Sequence, residues 1–219
     1  MTRIRHVFVA ALVLCGLAAL AGSPWLHPVS AASAQSATMA LLAKPTALPD
    51  MALGQTKAPV TIYEFASMSC PHCAAFEQNV FPMIRSKYID TGKVRYIFRE
   101  FPRDIKAVGA SMVARCIANG DAEKFFATLD TIFKRQEPLL AETTETLRAI
   151  GKEAGMDDNG AEQCIRNQAQ LDKLSADQKF ASEELKVDAT PIFFINGTMT
   201  KGAISFEEFE AKLKPLLRK

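Results

Sequence analysis

The sequence predicts an α/β domain: a central mixed sheet flanked by helices and interrupted by an inserted all-helical subdomain. Three observations carry this. Val60, Ile62, Tyr63 and Phe65 form an apolar, β-branched and aromatic run, and a helical period starts just after it at Cys73, Phe76, Val80, Met83 and Ile84. Val94, Tyr96 and Phe98 alternate with Arg95, Ile97 and Arg99, which reads as a second strand. From Asp104 to about Leu185 the period is helical throughout, and a β pattern returns at Ile192 to Ile195. A helix of more than a dozen residues between the first two strands predicts a parallel pair with a right-handed crossover.

In chain order, Arg3, Arg5 and His6 precede an apolar run from Val7 to about Ala21, and small residues then lead to Ala32-Ser33-Ala34. That is the pattern of a secretory signal peptide over 1–34, cleaved after Ala34 or at the nearby Ala31 or Ala32. An uncleaved anchor is the competing reading, but the run is short for a membrane span. Cys15 lies inside the run after Leu14, a poor lipoprotein context, and reads as a small hydrophobe.

Residues 35–56, rich in Ala, Ser, Thr and Pro, read as a linker or N-terminal tail. The first half of the α/β domain then spans 57–103, and Thr91-Gly92 ends its long helix. The helical insert covers 104–186, in some four or five helices. Its apolar stripes are Ile105, Val108, Met112, Val113, Cys116 and Ile117, then Phe125, Phe126, Leu129, Ile132 and Phe133. A further stripe, Leu147 and Ile150, follows the candidate caps Thr143 and Thr144, and Ala161, Cys164, Ile165, Leu171, Leu174 and Phe180 complete the insert. Such stripes are read as core. The second half, 187–219, holds the strand Ile192–Ile195, an Asn196-Gly197 hairpin turn and a short returning strand. Ser205 and Glu208 then form a capping box that starts a last helix.

The chain has 219 residues, 48% hydrophobic, with 26 basic and 24 acidic side chains. Without Arg3 and Arg5 of the leader, 24 basic face 24 acidic residues. This balance gives no argument for nucleic acid or an anionic membrane as partner.

Chemistry concentrates at Cys70-Pro71-His72-Cys73, where a strand ends and a helix begins. The first N–H groups of a helix lack intrahelical partners, and the helix dipole is positive there. A thiolate at Cys70 is stabilised by both. Pro71 suits the first turn, having no N–H to leave unpaired. His72 adds a donor, and Cys73 sits one turn on, within disulfide reach. An exposed acidic thiol with a resolving thiol close behind is what thiol–disulfide exchange requires. The bland readings are a zinc half-site or a structural loop. His72 is the only histidine after the leader, and the other cysteines are distant in sequence.

Tyr-Glu-Phe-Ala-Ser-Met-Ser-Cys-Pro-His-Cys at 63–73, together with Thr190-Pro191-Ile192-Phe193-Phe194-Ile195-Asn196-Gly197, resembles the DsbA-type thiol oxidoreductases of the thioredoxin-fold superfamily. The resemblance covers roughly 50–217 and implies a thioredoxin fold with a helical insertion. It implies a redox-active disulfide Cys70–Cys73 and a cis Pro191 against the active-site sulfurs, with Thr190 available to an extended substrate segment. It also implies that Glu64 is the buried acid beneath the site, handling the proton of the resolving cysteine. The family's usual lysine partner for that acid has no clear counterpart, although Lys93, Arg95 and Arg99 are near. Glu77 matches a second family acid; as a generic residue it is a solvated helix face.

An exported chain keeps disulfides. With the leader removed, four cysteines allow three pairings, and adjacency favours Cys70–Cys73 with Cys116–Cys164. The second pair closes a loop of about 50 residues, worth roughly 4 kcal/mol by loop entropy; two buried, reduced thiols are the alternative. The expectation is therefore a periplasmic, monomeric dithiol oxidase without cofactor or bound metal. Its substrates are unfolded exported proteins with free thiols. The family implies reoxidation by a membrane quinone-coupled thiol oxidase of the DsbB type. One alternative is a reductase or isomerase kept reduced by a membrane donor, but residues 35–56 do not easily supply the dimerisation domain such isomerases usually carry. The other is a copper- or zinc-binding protein using Cys70, His72 and Cys73.

Overall fold

A computed structural model of the chain describes residues 31–218. The predicted leader lies outside the described residues up to position 30, as do Cys15 and the apolar run. Its last four residues open the first helix, α1 (Ala31–Leu42).

The elements that follow are β1 (Met51–Leu53), β2 (Val60–Ala66), α2 (Pro71–Asn79), α3 (Phe81–Ile84) and a π-helical turn, Arg85–Ile89. Then come β3 (Val94–Glu100) and the insert: α4 (Ile105–Ala118), α5 (Ala122–Lys134), α6 (Gln136–Ala141), α7 (Thr143–Glu153), α8 (Gly160–Ile165) and α9 (Gln168–Glu183). The chain closes with β4 (Ile192–Ile195), β5 (Thr198–Lys201) and α10 (Phe206–Leu213). The five strands lie in the order β1-β3-β2-β4-β5. β2 and β3 are parallel, as the long connection between them predicts, and the other neighbours are antiparallel. This is the thioredoxin-type mixed sheet with a helical insertion.

Strand alternation sorts the core onto two faces. Ile62, Val94, Tyr96, Phe98, Phe193 and Ile195 face α2, α5 and α10, where the Phe76, Phe193 and Phe209 rings meet at 4.6 to 5.8 Å. Tyr63, Phe65, Ile97, Ile192 and Phe194 face the other way, under Leu42, Leu185 and Val187. Asn196 and Gly197 both take positive φ, 45° and 85°, as the hairpin turn requires. The Ser205–Glu208 capping box is formed.

Four expectations change. The long helix expected to run from the Cys70–Cys73 motif to Thr91-Gly92 stops at Asn79 because Pro82 has no N–H for the carbonyl one turn back. Residues 35–56, read as a linker, hold most of α1 and all of β1. Leu42, Leu48, Met51 and Leu53 are buried there, and β1 pairs with β3. The insert has six helices, and α7 already begins at Thr143, whose hydroxyl donates back to Leu139 O rather than capping. Lastly, Ile105 and Cys116 do not face the core. Ile105 is 79% exposed, and Arg115 takes the inward position beside Cys116 to meet buried Glu100.

Cys116 and Cys164 form a disulfide, with Cα atoms 5.9 Å apart, tying the outer side of α4 to α8. Among the described residues no helix is long and apolar enough to cross a membrane.

Candidate active site

Cys70 is the N-cap of α2, with φ −83° and ψ 120°, and Pro71 occupies the first turn. The turn before it is closed by Cys70 N–H donating to Ser67 O at 3.0 Å. Extended backbone at the cap turns the Cys70 side chain back across the helix start. Its thiol donates to Thr190 O at 3.4 Å, and the Thr190–Pro191 peptide is cis. The two sequence-distant motifs therefore meet at one sulfur.

The two cysteines are free thiols and differ sharply. Cys70 is half-buried at the surface, whereas Cys73 is fully buried. A hydrogen bond from Cys73, joined by the Thr190 side chain and the backbone N–H groups of Cys73 and His72, lowers the Cys70 thiol to about 5 against the opposing effect of burial. Burial, the hydrogen bond to Cys70 and the charge of Glu64 all push Cys73 far up. One sulfur is a thiolate at neutral pH and its neighbour keeps its proton. His72 is exposed and serves the site through its backbone N–H.

Glu64, 1% exposed, lies beneath the motif on the α2 side of β2. Burial raises its carboxyl to about 8; a hydrogen bond from Tyr96 opposes the rise and the Cys70 charge adds to it. None of the three nearby basic residues, Lys93, Arg95 and Arg99, pairs with it. Arg95 and Arg99 sit at odd positions of β3 and leave through the other face, where Arg99 grips Asp50 at 2.8 and 3.1 Å. Lys93 lies 5.9 Å from the Tyr88 ring. In their place the Tyr96 hydroxyl donates to Glu64 Oε2 at 2.7 Å. Tyr96 could have been found from strand parity, because a buried tyrosine hydroxyl on the same face as a buried acid seeks that partner. Glu77 is buried too, not on a solvated face, and burial followed by the Glu64 charge raises its carboxyl well above the ordinary range.

Gln136 carried no sequence signal. Its side-chain amide donates to both Met68 O and Cys70 O, each at 3.0 Å. Among the described residues no group of three or more His, Cys, Asp or Glu side chains is arranged to hold a metal ion.

The arrangement can accept a thiol at Cys70, form a mixed disulfide there and release Cys73 into a pocket that supplies a proton. Comparison with known proteins follows the same line. The protein-family model described as Thioredoxin matches residues 46–215. A Rickettsia felis protein named "Putative protein-disulfide oxidoreductase" is 35% identical over 153 residues, which cover 69% of this chain and 54% of that protein. The chain thus spans about half the length of such curated relatives. The crystal structure of Wolbachia pipientis alpha-DsbA1 superposes with a TM-score of 0.72 at 33% identity, covering 81% of this chain and 94% of that one. Oxidised BdbD from Bacillus subtilis shares the fold, with a TM-score of 0.67 at 21% identity over 78% and 94% of the two chains.

Proposed function

We propose, from the premise that this chain belongs to the thioredoxin family and within it to the DsbA-like proteins, that it is a dithiol oxidase which introduces disulfides into exported proteins in the periplasm. The observation that carries the direction is the contrast between the two sulfurs, Cys70 lowered to about 5 and Cys73 pushed far up. A fold that stabilises the reduced Cys70 thiolate favours the dithiol form of the pair, so the disulfide is a strong oxidant.

The cycle balances in two exchanges. A substrate thiolate attacks Cys70 of the Cys70–Cys73 disulfide; a bond forms to Cys70, and Cys73 leaves with the electron pair. Glu64, protonated at neutral pH, is placed to give Cys73 its proton. The substrate segment lies along Thr190–Pro191, where an extended chain finds backbone to pair with. A second substrate thiolate attacks the first substrate sulfur and releases Cys70 as thiolate. Two electrons now reside on the enzyme, and a membrane quinone-coupled thiol oxidase removes them.

The deciding experiment is the reduction potential of Cys70–Cys73. It is measured in glutathione buffers by alkylation mass shift, on a Cys116→Ala/Cys164→Ala background that isolates the pair. A value near about −120 mV, as for DsbA, is the expected result. A value near about −250 mV, approaching the about −270 mV of thioredoxin, would overturn the oxidase reading and turn attention to reductase and isomerase assays.

A further inference from the structure

The helical insert touches the active-site turn through a pair of glutamines. Gln78, on α2, donates to Phe133 O near the end of α5 at 3.0 Å. Gln136, the first residue of α6, donates in the opposite direction, to Met68 O and Cys70 O. Phe133 and Gln136 lie on either side of the corner at Arg135, where α5 stops and α6 begins. That corner is itself fixed. The Arg135 guanidinium holds the Glu153 carboxylate at 2.7 and 2.8 Å, and Leu139 is fully buried one turn further on.

We propose that Gln136 is a positioning residue for Cys70: its amide holds the Met68–Cys70 turn from the insert side, so that the N–H groups of His72 and Cys73 converge on the Cys70 sulfur. This deepens the thiol-exchange reading above and rests on it. Elsewhere the turn is closed by Cys70 N–H on Ser67 O, the Ser67–Ser69 hydroxyl contact at 3.0 Å and Arg103 N–H on Ser67 Oγ at 3.2 Å. None of these fixes the Cys70 carbonyl. Among the described residues that carbonyl accepts from Ala74 N–H within the helix, at 3.1 Å, and from Gln136. A single neutral amide bridging two carbonyls two residues apart sets the peptide planes between them. Those planes determine where the Cys70 side chain points relative to the helix start. Being uncharged, Gln136 can do this without adding a field of its own to the thiolate.

The test is the titration of the reduced protein, followed by thiolate absorbance, for the unmutated chain and for Gln136→Met, Gln136→Glu and Gln78→Met. The expected midpoint of the unmutated Cys70 is about 5. Gln136→Met, similar in shape but without donors, raises that midpoint by about half a unit or more, and Gln136→Glu raises it at least as far. Gln78→Met lowers the melting temperature and leaves the midpoint in place. A Gln136→Met protein with lowered melting temperature and unchanged midpoint would make the residue merely structural and sink the proposal. Should the Gln136 variants not fold, the side-chain amide resonances of Gln136 in the unmutated protein decide. They follow the Cys70 titration if the proposal holds, and insensitivity overturns it. An unmutated midpoint at an ordinary thiol value of about 8.5 would instead remove the reading on which the proposal rests.

Discussion

The Tyr96 hydroxyl donates to Glu64 Oε2 across 2.7 Å, within a sheet face that is otherwise mostly hydrocarbon. Tyr96 stands opposite Ile62 in the parallel register, so its ring reaches diagonally to the acid two residues on. The bond opposes the upward push of burial on Glu64, whose carboxyl sits at about 8. Tyr96→Phe therefore raises it further, and the carboxylic-acid band in the infrared spectrum of the reduced protein persists to higher pH. The alkaline limb of the pH–rate profile for dithiol oxidation moves the same way. The lost bond costs about 1 kcal/mol of stability. Superimposable titrations of the two proteins would show that Tyr96 does not tune the acid.

Glu64 also leaves a signature in stability. Its folded value of about 8 lies above the ordinary 4.5. A carboxyl shifted upward weighs against the folded state once the unfolded chain ionises and the folded one does not. The penalty is absent below about pH 4.5, grows as pH rises, and is complete above about 8. Glu64→Gln removes it. The melting temperature of the variant relative to the parent should climb between pH 5 and 8 and level off above, while dithiol oxidation slows. A difference that stays flat across that range would mean that Glu64 ionises freely in the fold.

Cys70 works with the opposite sign, and only in the reduced protein. Its folded value of about 5 lies below the ordinary thiol value of 9.0. The stabilisation it gives is fully present above about pH 9 and is lost as pH falls through 5. The oxidised protein has no such group to titrate. The reduced form should therefore melt higher than the oxidised form at pH 7, and the gap should shrink steadily towards pH 5. Calorimetry of both forms at several pH values checks this. A gap independent of pH would mean that the thiolate is not what favours reduction.

What was legible in the sequence follows from the range of the forces involved. The β2–Cys70–Cys73–α2 junction and the Thr190–Pro191 approach rest on local period and punctuation, and the structure brings them together at one sulfur. The segment 35–56 was not legible as structure, because its Ala, Ser, Thr and Pro content looks like a tether. Its order comes from partners distant in sequence: β3 and Arg99 some fifty residues on, and Asp177, which accepts from Ala47 N–H at 2.7 Å and Leu48 N–H at 2.8 Å. Gln136 was invisible for the same reason. Cys116 was misplaced because an inward arginine is unexpected on an apolar stripe unless its acid, Glu100, is known to be waiting.

Arg99 is the anchor of that N-terminal strap, and its energetics can be separated from simple burial. The guanidinium is 6% exposed, grips Asp50 in two hydrogen bonds, donates to Leu42 O at 2.9 Å and lies 4.6 Å from the Tyr63 ring centre. Its Nη1 atom has no partner among the described residues. Asp50→Ala leaves this charge buried with one carbonyl for company. Breaking a buried pair from one side costs about 3–5 kcal/mol, and the part-exposed Asp50 side chain brings the expected loss nearer about 2. Replacing both partners removes the uncompensated charge, so Asp50→Ala/Arg99→Met should recover much of what Asp50→Ala alone loses. A double-mutant cycle read by denaturant unfolding measures the coupling. Additive losses would mean that the strap is held by Leu42 and Leu48 in their apolar pockets, with the ion pair contributing nothing of its own.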